Sequence, residues 1–281
     1  MFVTVNGARL YFDVEGAALV ADGKTMRERA TLLLLHGGPG FDHSLFKPEF
    51  GALADVAQVI YLDHRGNGRS DYGDPSTWNL AQWGDDVRAF CDVLGIHKPI
   101  VYGVSFGGFV AQSYATRHPQ HPGKLVLTST AARADWPAVF EAFERIGGAQ
   151  ARRMAQDYWL TPTPESRVLY REKCHPLYYT RPIRDPDSSA RAIVHDPVNL
   201  HFATGEFARM DFRSALGHIC CPTLVMAGEN DPITPIAFSE TIVASLPPGL
   251  AQFERFADCG HGVVHDAPER FFATLRAFVR S

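Results

Sequence analysis

The chain has 281 residues, is 46% apolar and carries a formal net charge of −4, with acidic and basic residues intermixed. That length buries one sizeable core, with or without a smaller appended layer, and the absence of a long Lys or Arg run argues against nucleic acid or an anionic membrane as partner. The apolar run Thr31–Leu35 is too short to span a bilayer, and the first 16 residues alternate like a strand without the basic start of a signal peptide, so a soluble, cytoplasmic protein is expected.

In chain order, Phe2–Val5 and Ala8–Val14 flank Asn6-Gly7, a strong hairpin signal. Thr31–His36, Gln58–Asp63, Pro99–Val104, Lys124–Thr128 and Pro222–Ala227 are continuous apolar runs, which suit strands buried on both faces of a mostly parallel sheet. Helical patterns cover Leu80–Leu94, Phe106–Arg117, Ala237–Ser245 and Pro268–Arg280, and this alternation predicts an α/β fold with helices on both faces of the sheet. The alternation stops after Thr130. Residues 133–213 are rich in aromatics and prolines and predict a mainly helical cap over a core of 1–132 and 214–281. Within the cap, Trp136, Phe140 and Phe202 are candidates for lining a substrate pocket. The five cysteines (Cys91, Cys174, Cys220, Cys221, Cys259) are odd in number and irregularly spaced, which argues against a disulfide framework or a metal site. The adjacent pair Cys220-Cys221 reads as two reduced thiols.

The chemistry-bearing signal is Gly103-Val104-Ser105-Phe106-Gly107, placed between an apolar strand and a helical pattern. A strand that turns sharply into a helix strains the central serine and exposes its hydroxyl, while small neighbours let the chain pass. A serine nucleophile needs a base, and the base needs an orienting acid. Asp231 lies in the turn after Pro222–Ala227, and His261 lies between two glycines before the last helix, giving the chain order Ser, Asp, His. Glu229 competes for the acid's role but lies closer to the strand end, and His265 competes for the base's role but lacks the flanking glycines. His36-Gly37-Gly38-Pro39-Gly40 follows an early strand. There the Gly38 N–H and the Phe106 N–H are candidates for an oxyanion hole, Pro39 having none. His36, at the strand end, reads as structural. An aspartate nucleophile is argued against by serine at the elbow, and a non-catalytic small-molecule receptor by the intact set of parts.

Together HGGPG (His36–Gly40), DHRGNGRS (Asp63–Ser70), GVSFGG (Gly103–Gly108), GENDPITP (Gly228–Pro235) and GHGVVHDAPE (Gly260–Glu269) resemble α/β-hydrolases of the proline iminopeptidase group. The resemblance implies the α/β-hydrolase fold with a helical lid after the sixth strand, a Ser105–Asp231–His261 triad, an oxyanion hole of Gly38 and Phe106, and no cofactor. It also implies that Asp63 and Arg65 hold their loop by ion pairing. The chain departs from that group in carrying Phe106 where the group has tryptophan. It also carries Val198-Asn199-Leu200-His201-Phe202, without glutamate, where the group reads a substrate amine, although Glu206 lies close by. The expected activity is therefore cleavage of a small ester, lactone or amide, with release of N-terminal proline as the alternative. The oligomeric state is left open.

Overall fold

The structure, a computed structural model, describes every residue except 184 and 186. Asn6 and Gly7 both take positive φ (46° and 76°), as a two-residue hairpin turn requires. Strand β1 (Phe2–Val5) therefore folds back antiparallel on β2 (Ala8–Glu15), with Val5 opposite Ala8. A separate exposed hairpin of β3 (Leu19–Asp22) and β4 (Thr25–Glu28) follows, at a place where no strand was predicted. The remaining strands are β5 (Thr31–Leu35), β6 (Gln58–Leu62), β7 (Ile100–Val104), β8 (Lys124–Thr128), β9 (Thr223–Gly228) and β10 (Ala251–Phe256). The eight-stranded sheet runs β1-β2-β6-β5-β7-β8-β9-β10 and is parallel from β6 onward.

The continuous apolar runs are explained by cover on both faces. Leu33 and Leu35 of β5 join Trp83 and Phe90 of α1 (Leu80–Val93) and Val110 and Tyr114 of α2 (Phe106–Arg117). Leu32 and Leu34 face the other way, toward Phe46, Phe50 and the apolar stripe Phe271, Leu275, Phe278 of α9 (Pro268–Arg280). Each buried leucine contributes about 2 kcal/mol, and because both faces are dry none of the four can be polar. Helix α1 starts where Asn79 accepts the Gln82 N–H, an Asn N-cap.

Between β8 and β9 lie α3 (Trp136–Leu160), α4 (Pro164–Lys173), α5 (Ser188–Arg191) and α6 (Asp196–Thr204). Helix α3 is broken at Gly148 (φ 76°, ψ −179°). The base of this segment is closed by an antiparallel bridge between Arg133 and Asp211. Its residues Val139, Phe140, Phe143, Phe202 and Phe207 extend the core cluster that holds α1 and α2. Helices α7 (Ile236–Ser245) and α8 (Val263–Asp266) complete the chain between β9 and α9. Among the described residues, no helix is long and apolar enough to cross a membrane.

Candidate active site

Because the strands run parallel, their carboxyl ends share one edge of the sheet, and the loops leaving that edge can meet. Ser105 leaves β7 with φ 53° and ψ −120°, a strained conformation for a non-glycine residue. The flanking glycines are obligatory at this elbow. A Cβ on Gly103 would strike the Gly107 backbone, and one on Gly107 would strike the carbonyl of Leu35. The end of β8 holds Ser105 on one side and the histidine loop on the other. The Ser105 N–H donates to Thr128 O (3.0 Å), Thr130 Oγ1 donates to Ser105 O (2.9 Å), and Ser129 Oγ donates to His261 O (2.8 Å).

Asp231, fully buried beyond β9, accepts the Nδ1–H of His261 at 2.7 Å. Its carboxylate also takes the backbone N–H groups of Ile233 and Thr234 (2.8 Å each) and the Thr234 hydroxyl (2.6 Å). Burial pushes the Asp231 carboxyl up, but the adjacent His261 and these hydrogen bonds outweigh it and hold the group below the usual carboxylate value. Thr234 Oγ1 lies 3.3 Å from His261 Nδ1, so one threonine borders both groups. The competing acid Glu229 is instead paired with Arg255 at the surface (3.0 Å), and His265 meets Pro182 O (2.9 Å). No hydrogen bond joins the Ser105 hydroxyl to His261 among the described residues.

The loop after β5 lies against Ser105: a Cβ on Gly37 would sit 3.5 Å from that of Ser105. Gly38 takes φ 123°, open to glycine alone. Neither the Gly38 N–H nor the Phe106 N–H at the start of α2 has an acceptor among the described residues. His36 is structural, as its position predicts. Its Nδ1–H donates to Gly37 O (2.8 Å), its Nε2 accepts the His64 N–H (3.3 Å), and its ring packs 4.5 Å from that of His64. Burial lowers the tendency of both rings to take a proton.

Ser105 opens into a cavity lined by Gly38, Pro39, Phe109, Trp159, Asn199, Phe202, Ala203, Phe207, Ile233 and Thr234. Of the four cap candidates, only Phe202 lines it. Trp136 packs behind the wall, 5.2 Å from Trp159 and 5.0 Å from Phe207, and Phe140 stacks on Trp136. Glu206 is turned away, its carboxylate accepting the Leu80 N–H (2.6 Å) at the first turn of α1. Burial pushes that carboxyl up, against the pull of the Leu80 N–H and Arg209. Asp63 and Arg65 hold their loop through separate partners. Arg65 makes a two-armed contact with Asp86 of α1 (2.8 Å each), while Asp63 accepts His43 Nδ1–H (2.7 Å) and the Arg69 N–H (2.9 Å). An arginine fork fits a carboxylate presented edge-on, and α1 supplies one.

Sequence reasoning missed the residues that hold the loops together. Asp266, fully buried, accepts the N–H groups of Gly260 (2.8 Å), Thr180 (3.2 Å) and Arg181 (3.2 Å), tying the His261 loop to the segment before α5. Asn67 accepts the Gly40 N–H at 2.6 Å. Neither residue type signals such a role locally, because each partner lies in a different loop.

A family model described as alpha/beta hydrolase fold matches residues 30–268. A protein of Caulobacter sp. (strain K31) named "Putative carbamate hydrolase RutD" is 30% identical, over 98% of this chain and 97% of its own. "3-oxoadipate enol-lactonase 1" of Acinetobacter baylyi is 27% identical over 90% of each. The crystal structure of a proline iminopeptidase from Mycobacterium smegmatis superposes with TM-score 0.77 at 22% identity, covering 100% of this chain and 97% of that one, a likeness of fold. With its mostly parallel sheet, strained serine and full-length hydrolase relatives, the chain belongs to the α/β-hydrolase family and is a hydrolase.

Proposed function

We propose that this enzyme hydrolyses a small, neutral carboxylic ester or lactone through an acyl-enzyme on Ser105. The observation that carries the reading is the shared cavity: Ser105, Gly38 and Thr234 form parts of one wall, and Thr234 borders both Asp231 and His261. Ser105 Oγ attacks the carbonyl carbon while its proton passes to His261 Nε2. Asp231 orients the imidazole through Nδ1–H and stabilises its positive charge. The carbonyl oxygen becomes an anion held by the Gly38 and Phe106 N–H groups. The C–O bond breaks as His261 returns the proton to the leaving alcohol. Water then attacks the acyl-enzyme by the same steps in reverse, releasing the acid and free Ser105. The Ser105–His261 bond is open in the resting geometry, and such bonds commonly tighten only when substrate is bound. Residues 133–213 act as the cap over a core of 1–132 and 214–281.

The choice against proline release rests on charge. A substrate ammonium in a dry pocket needs a carboxylate partner, and no Asp or Glu is among the residues lining the cavity. A second reading, carbamate cleavage, is favoured by the name of the 30% identical relative and uses the same steps.

The test is a panel of 4-nitrophenyl butyrate, a γ-lactone, an aryl carbamate and prolyl-naphthylamide with wild type and Ser105→Ala. Ester and lactone turnover with no prolyl cleavage is expected, and Ser105→Ala should lose both turnover and fluorophosphonate labelling. Activity should fall at acidic pH, since His261 must be neutral to take the proton. Preferential turnover of the carbamate or of prolyl-naphthylamide would replace the ester reading, and an active, labelled Ser105→Ala would end it.

A further inference from the structure

The Val198–Phe202 segment of α6 reaches the loop after β5. Asn199 Nδ2 donates to Pro39 O at 3.1 Å, and Asn199 Oδ1 accepts the Tyr158 hydroxyl at 3.1 Å. The amide's orientation follows from chemistry, because a proline carbonyl can only accept. One turn earlier, the His195 N–H donates to Gly40 O (2.9 Å). The His195 ring is held by Gly66 O through Nδ1 (2.7 Å) and lies flat on Tyr72, with centroids 3.8 Å apart. Gly40 leaves no gap to this helix: a Cβ there would sit 2.8 Å from His195 O and 3.2 Å from Asn199 Cβ. From the opposite side, the core's Asn67 takes the Gly40 N–H (2.6 Å). The two residues after Gly38 are therefore strung between core and cap, and Asn199 also lines the cavity.

We propose that Asn199 is a positioning residue that couples the placement of the cap to the geometry of the oxyanion hole. This rests on the ester-hydrolase reading above. Asn199 holds the Pro39–Gly40 peptide through the Pro39 carbonyl, two peptide units beyond the one that carries the Gly38 N–H, and so braces the loop that aims this donor at the tetrahedral state. The cap then does more than enclose substrate, because the cap helix that walls the cavity also braces the hole.

The test measures kcat and KM for 4-nitrophenyl butyrate, and inhibition by phenylboronic acid, in Ser105→Ala, Asn199→Ala and Tyr158→Phe. Phenylboronic acid reports the hole directly. Ser105 Oγ bonds to boron, its proton moves to His261, no bond to boron breaks, and an oxygen of the resulting tetrahedral anion occupies the hole. Asn199→Ala should lower kcat about tenfold, less than the 10²–10³ seen when a donor itself is removed, with KM within about twofold. Phenylboronic acid should bind about tenfold more weakly in parallel. Tyr158→Phe leaves the amide in place but unanchored and should move both quantities the same way by about threefold. Tyr158→Phe decides the matter if Asn199→Ala fails to fold. Unchanged kcat and boronate affinity in the folded variants, or a rise in KM alone, would overturn the proposal. An active Ser105→Ala would instead overturn the parent reading and this one with it, whereas an inactive one beside an unaltered Asn199→Ala overturns this one only.

Discussion

At the carboxyl edge of the sheet, Asp231 alone takes four hydrogen bonds, and the ends of β7, β8 and β9 are stitched by backbone donors. Across the cavity the segment 133–213 presents rings. Phe202 and Phe207 lie 5.7 Å apart, Phe109 packs 5.5 Å from Phe207, and Trp159 closes the side at 5.8 Å from Phe207. Polar contacts also join this segment to the rest of the chain: Asn199 on Pro39, Thr180 and Arg181 on Asp266, and Glu206 on Leu80. The difference teaches a division of labour. Directional bonds hold Asp231, His261 and Ser105 in place, while non-directional apolar contacts leave more freedom of shape.

The sharpest way to break this comparison is on the sheet side. Asp231→Asn should leave the fold in place but lower kcat about 10⁴-fold, because the imidazole loses its oriented tautomer and its counter-charge. Steady-state kinetics beside a circular dichroism spectrum checks this, and a loss under tenfold would mean that Asp231 does not orient His261. Next is the seam. Asp266→Ala removes the acceptor of three N–H groups, of which that of Gly260 is buried, and should cost about 2 kcal/mol in denaturant unfolding. An unaltered midpoint would mean that the cap and the His261 loop stand independently.

A smaller effect comes from pH. His36 and His64 are buried and held neutral in the folded chain, whereas the unfolded chain protonates them as pH falls through about 6.5. The unfolded state then binds more protons, so stability drops as pH falls below that value, by up to about 1.4 kcal/mol per pH unit for each histidine. Asp231 acts in a lower window. Its depressed carboxyl contributes stability above the unfolded value near 4, and that contribution is lost as pH falls through the folded value. Urea titrations at pH 7.5 and 5.5 measure the histidine part, and equal midpoints would contradict it. Smallest of all, Glu206→Ala removes an acceptor at the start of α1 and should cost about 1 kcal/mol without altering the preference for neutral over cationic acyl groups. A change in that preference would return Glu206 to the substrate.

The inner strands of the sheet were legible because they are buried on both faces and so write unbroken apolar runs, and β8, α2 and α9 begin and end where their patterns do. The β3–β4 hairpin was not, because its residues are mostly exposed and carry no alternation. The proposed triad of Ser105, Asp231 and His261 was read from glycine neighbours and from position after strands, and the fold brings Asp231 and His261 into contact. Pairings that cross between loops leave no such mark. Nothing near Arg65 points to Asp86, and nothing near Asp266 points to Thr180. The aromatics of 133–213 were recognisable as a class, but not which of them face Ser105: Trp159 reaches the cavity from the half of α3 beyond the break at Gly148.

The lining of the cavity holds no ionisable side chain. Such a lining offers no charged partner to a substrate, so the proposed neutral ester would be held by apolar contact and hydrogen bonds. On the ester reading, a charged acyl group would be disfavoured by the cost of shedding its water. For a neutral ester, kcat/KM should stay flat between low and high ionic strength, with the pH response confined to the proton transfers at Ser105.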